Sequence, residues 1–99
     1  MIFSWFDDRD AKAFGESLAL FFVNSIPPVS QVGDKAFAQK AEKLLTQMAI
    51  KVSQFKQVHK LNVYTKAQLG NAFSWTLKDA KVSTEYCDKL TRWLMMNIG

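Results

Sequence analysis

Between Asp34 and His59 the apolar residues return at helical spacing. At about 100° per residue, Phe37, Ala41, Leu44, Leu45, Met48, Val52, Phe55 and His59 share one stripe. That stripe is roughly 100° wide, the width of a core-facing helix face. The opposite face holds Gln39, Lys43, Thr46, Gln47, Ser53, Gln54 and Gln57, with Ile50 as its apolar exception. No Pro or Gly interrupts the run. The pattern predicts a helix over about 34–60, with Asp34 as a suitable N-cap. At about 1.5 Å per residue it spans most of a small domain, and its stripe has to be covered by the rest of the chain.

Three further helices follow from the same reasoning. The first is expected over about 7–25. Asp7, Asp8 and Asp10 sit where the helix macrodipole favours acids, and Phe14, Leu18, Phe21 and Phe22 form the inward stripe. Leu20 and Val23 spill onto the other side, so this helix is a candidate for the centre of the fold or for a subunit interface. Gly15 costs about 1 kcal/mol relative to Ala inside a helix, a cost that a close backbone approach would offset. Pro27-Pro28 ends the helix.

The third helix is expected over about 65–80. Thr65 and Gln68 have the spacing of a capping box, with Tyr64 and Leu69 as its hydrophobic staple. Asn62 suits a left-handed helix end. Leu69, Phe73, Leu77 and Ala80 then face inward. The fourth is expected over about 83–97, capped by Ser83. Tyr86, Leu90, Trp93, Leu94 and Asn97 share its inner face, and the pairs Glu85–Lys89 and Asp88–Arg92 mark its outer one. No alternating run argues for a strand. The fold class is all-α: one domain over residues 1–99, a four-helix, antiparallel bundle-like structure with a long central second helix.

Composition agrees with a real core. The chain has 99 residues, 48% of them hydrophobic, with eight Phe, three Trp and two Tyr. That content excludes a disordered chain and makes a metal or disulfide staple unnecessary. Cys87 is the single cysteine, which fits a reducing compartment. The acidic start is the wrong sign for a secretory signal. The apolar run Leu18–Val23 is far short of the roughly 20 residues that span a bilayer. A soluble, cytoplasmic protein is expected.

Candidate chemistry is sparse. His59 is the single histidine and lies in the apolar stripe, without a His, Asp or Glu three or four residues away to complete a metal pair. It reads as a structural histidine. Cys87 borders the inner face of the fourth helix and reads as a small buried hydrophobe. No phosphate-cradling glycine loop is present. The chain is therefore expected not to be an enzyme, with no cofactor and no metal.

The net charge of +4 is unevenly placed. Residues 1–34 sum to −3 and residues 35–81 to +7. Lys40, Lys43, Lys51, Lys56, Lys60 and Lys66 face one acid, Glu42, in their stretch. They are the contacts that a small basic nucleic-acid-binding protein would use. Against that reading, those on the second helix scatter around the wheel and the stretch holds no Arg. The third and fourth helices resemble a helix-turn-helix in outline only. The leading helix is about twice the usual length, the turn has no Gly, and Glu85 and Asp88 sit where DNA would lie.

The favoured partner is another protein, or a second copy of this chain. Gln68, Asn71 and Trp75 fall on one line of the third helix, with Trp75 about 160° from Phe73. A Trp beside two amides has the composition of an interface hot spot; the alternative is that Trp75 packs under the N-terminal segment or the first helix. Ile2, Phe3, Trp5 and Phe6 are expected to cover the core. Membrane contact through Met1–Phe6 is disfavoured, because its flanking aspartates are repelled by anionic lipid. The alternative remains nucleic acid through the six lysines.

Overall fold

A computed structural model describes residues 9–26 and 29–99, with side chains from residue 33 onward in the second stretch. It contains α1 (Arg9–Ser25), α2 (Val29–Val58), α3 (Val63–Asp79) and α4 (Thr84–Ile98), with no strand among the described residues. The expectations for Met1–Phe6, for a helix start at Asp7 and for the Pro27-Pro28 break lie outside the described residues.

The ends of the helices give the direction of each. Asp10, Phe14 and Phe21 of α1 meet His59, Phe55 and Lys51 in turn, so α1 and α2 run antiparallel. Gly70 of α3 faces Met95 of α4 across the second antiparallel pair. Phe37 meets Tyr86 near the starts of α2 and α4, and the Lys56 ammonium reaches the Asn97 carbonyl near their ends. The two hairpins thus stack with α1 against α3 and α2 against α4, each pair running in the same direction. The result is an all-α bundle.

The closest packing joins α1 to α3 rather than involving the longer α2. Its cause is a run of small residues. Ala11, Gly15 and Ala19, spaced by four, are all buried. An added Cβ at Gly15 would lie 2.5 Å from the Leu69 carbonyl oxygen and 3.2 Å from the Ala72 Cβ. The inner face of α1 is accordingly Ala11, Gly15, Leu18, Ala19 and Phe22; Leu18 and Phe22 are as expected, and small residues stand where Phe14 and Phe21 were expected. Those two rings are too large for the α1–α3 seam and turn toward α2. Phe14 stacks on Phe55 at 4.2 Å, and Lys51 sits 4.9 Å from the Phe21 ring. Leu20 stays exposed.

On α2 the expected stripe holds. Ala41, Leu44, Met48 and Val52 are buried, Leu45 and Phe55 pack against them, and Ile50 is exposed. Gly33 breaks the helix with φ 84°, a left-handed value that glycine adopts without steric cost. Regular geometry resumes at Asp34, as expected for its start, and the helix ends at Val58 rather than 60.

The start of α3 corrects the sequence reading. The capping box is Asn62–Thr65, three residues earlier than Thr65–Gln68. The Thr65 N–H donates to Asn62 Oδ1 at 2.8 Å, and the Asn62 N–H donates to Thr65 Oγ1 at 2.9 Å. Asn62 is extended, not left-handed. Asn is as good an N-cap as Thr or better, and the earlier start lets Thr65 bury its methyl group as the third helical residue. Leu69, Phe73 and Leu77 face inward as expected. At the far end the Lys81 N–H donates to the Lys78 carbonyl and the Val82 N–H to the Leu77 carbonyl, which is a Schellman closure. It forces Lys81 to φ 70°. Ser83 caps α4 by accepting from the Tyr86 N–H, and Cys87, Leu90, Leu94 and Ile98 are buried.

Two glycine substitutions test the seam. Gly15→Ala is expected to lower stability by about 1–3 kcal/mol through overpacking against backbone, more than the gain of about 1 kcal/mol from helix propensity. At Gly70 the new Cβ would meet only the movable end of Met95, so Gly70→Ala is expected to be neutral or stabilising. Denaturant unfolding of both variants decides the point; equal effects contradict the seam. By the same method Lys81→Gly is expected to stabilise by about 1 kcal/mol, because a non-glycine residue resists the left-handed region.

Candidate functional site

The outer side of α3 follows from the phase set by its cap. With Leu69, Phe73 and Leu77 wholly buried, the residues opposite must face solvent. Asn71 is exposed and Gln68 half-buried. Trp75 is 64% exposed, and the Lys78 ammonium lies 5.3 Å from the centre of its ring. Tyr64 joins this face at 52% exposure. The staple spacing predicts that Tyr64 packs against Leu69. Once α3 starts at Val63, Tyr64 lies in its first turn, eleven residues before Trp75 and within about 20° of it on the helical wheel. The two aromatics, about 16 Å apart along the axis, bracket the two amides.

The six lysines run from α2 to the first turn of α3. Lys40 is exposed near the start of α2, and Lys43 lies beside Gln39, Glu42 and Thr46. Lys51 is held over Phe21. Lys56, Lys60 and Lys66 meet at the other end of the bundle, around a concavity of about 340 Å³ that His59, Leu61, Ile98 and Gly99 complete. Sequence spacing could not show this grouping, since it depends on the turn between α2 and α3 and on where α4 ends.

His59 stacks on Phe55 at 4.3 Å, extending the ladder that begins at Phe14. Its Nδ1 is 3.8 Å from Asp10 Oδ2, with the two side chains 37% and 77% exposed. Solvent screens such a pair, so most of its contribution is the stacking. Cys87 lies at the opposite end of α4, where its thiol donates to the Val82 carbonyl at 3.5 Å. It is eleven residues from Ile98, about 16 Å along the helix, so the fold does not bring Cys87 and His59 together. Among the described residues no group of three His, Cys, Asp or Glu side chains could hold a metal ion. No described helix is long and apolar enough to cross a membrane. No protein-family model, curated protein or solved structure matches the chain.

A larger concavity, about 550 Å³, lies at the Cys87 end between Phe22, Phe37, Val82 and Tyr86, with Asp34 and Lys81 at its rim. Burial pushes the Tyr86 phenol above its ordinary pKa. Burial also pushes up the Cys87 thiol; the Lys78 charge opposes the shift, Asp88 adds to it, and a backbone hydrogen bond opposes it. In the unfolded chain both groups ionise at their ordinary values. Their contribution to stability is therefore complete below those values and is lost as pH rises through the raised ones. The melting temperature is expected to fall with alkaline pH, and to fall less steeply in Cys87→Ala. Identical slopes in the two proteins contradict a buried, neutral thiol.

Proposed function

We propose that this chain is a non-enzymatic helical interaction module that meets another protein, or a second copy of itself, through the outer face of α3. The single observation that carries the reading is Trp75. A ring that large, 64% exposed on a helix whose opposite face is fully buried, contributes nothing comparable to the core. At an interface it offers apolar area, and Gln68 and Asn71 beside it orient hydrogen bonds. Tyr64 extends the patch and Lys78 caps the Trp75 ring. The amides set direction where charge would be costly to desolvate. A cytoplasmic location belongs to the same proposal and rests on the single, reduced Cys87.

The second reading, nucleic-acid binding through Lys40, Lys43, Lys51, Lys56, Lys60 and Lys66, is supported by three of those lysines meeting at one end of the bundle. The scatter of the others along α2 makes it the weaker proposal.

Trp75→Ala separates interface from scaffold. Stability is expected to stay within about 0.5 kcal/mol of the wild type, as for a surface substitution. Self-association measured by sedimentation, or capture of a partner, is expected to weaken by roughly 30-fold or more, the scale of a hot-spot residue. A loss of about 3–5 kcal/mol of stability in a strictly monomeric protein, the signature of a core aromatic, overturns the proposal.

A further inference from the structure

The concavity at the end of the bundle carries a separate conclusion, independent of the α3 face. Lys56 comes from the last turn of α2, His59 and Lys60 from the residues after it, and Lys66 from the first turn of α3. Leu61 and Ile98 give the space, about 340 Å³, an apolar wall. None of its described lining side chains is acidic. Among the described residues Asp10 faces His59 at 3.8 Å and is largely in solvent.

One of the three ammonium groups already has a role. Lys56 Nζ donates to the Asn97 carbonyl at 3.0 Å, where the end of α4 presents its unpaired carbonyls. That role needs one cation. Lys60 and Lys66 have no acid within ion-pair distance among the described residues. Cations held around one concavity repel each other, and an anion between them turns that repulsion into charge-assisted hydrogen bonds. The volume falls in the range of small-ligand sites, roughly 300–1,000 Å³.

We propose that this concavity binds a small, multiply charged oxyanion of the diphosphate class. Lys60 and Lys66 are its direct ligands, His59 supplies a further N–H, and Lys56 adds its field while tied to α4. A compact ligand fits better than a polynucleotide backbone. Lys40 lies 16 residues before Lys56, about 24 Å along α2, and Lys51 sits over Phe21. A strand touching all six lysines would have to follow most of that helix.

The test is a titration of the full chain with inorganic pyrophosphate at fixed, low ionic strength, followed by amide chemical shifts. The expected result is saturable shifts confined to residues 56–66 and 97–99, with a midpoint below about 1 mM. Paired Lys60→Gln and Lys66→Gln substitutions are expected to weaken binding by about tenfold or more while leaving thermal unfolding unchanged. Paired Lys40→Gln and Lys43→Gln substitutions are expected to leave binding unchanged. Absence of saturation overturns the proposal, as does equal weakening by the two pairs, which would be a general effect of net charge. A single-stranded oligonucleotide run in parallel is expected to bind no more tightly than pyrophosphate. If it binds more tightly and also shifts residues 40–51, the site belongs to a nucleic-acid surface and the small-ligand proposal fails.

Discussion

The bundle depends on how closely two backbones can approach. At Gly15 the axis of α1 comes so near α3 that one added carbon would meet the Leu69 carbonyl at 2.5 Å. Ala11 and Ala19, one turn to either side, keep the seam narrow along its length. Close approach increases the number of dispersion contacts per unit length, each small and together large. It also sets where the larger side chains go. Leu18 and Phe22 fill the centre, while Phe14 and Phe21 are turned aside to α2. The long second helix then lies along α1 and α4, not between the other helices.

Both candidate sites follow from that arrangement. With α1 pressed on one flank of α3 and α4 on the other, the third side of α3 is left to solvent, and Trp75 and Tyr64 stand on it. The stacking of two hairpins also sets the end of α2, the start of α3 and the end of α4 side by side. Lys56, Lys60 and Lys66, which sequence order spreads over eleven residues, surround one space for that reason. The Phe14–Phe55–His59 ladder ties α1 to the same end.

Much of this was legible from residue spacing. The α2 stripe, the inward line Leu69–Phe73–Leu77 and the outward position of Trp75 need only a helical period and one fixed phase. Gly15 was legible as a close approach because a helix-interior glycine requires a reason. What failed did so for identifiable causes. Thr65–Gln68 and Asn62–Thr65 both have capping-box spacing, and local chemistry alone did not rank them; burial of Thr65 in the tertiary structure favours the earlier start. On α1, Leu18 and Phe22 are buried as expected, whereas Phe14 and Phe21 give way on the α3 side to Ala11, Gly15 and Ala19, because the tightest contact selects the smallest residues. The lysine cluster was beyond any periodicity, because its members sit on different elements.

Native-state amide exchange tests the central claim, that the α1–α3 seam is the most stable part of the molecule. Amides open through fluctuations whose free energies rise to the global unfolding value in the best-packed segments. The slowest exchange is expected at residues 15–22 of α1 and 69–77 of α3, with α2 exchanging through smaller openings. Slowest exchange at residues 44–52 of α2, with α1 opening at lower free energy, would contradict it.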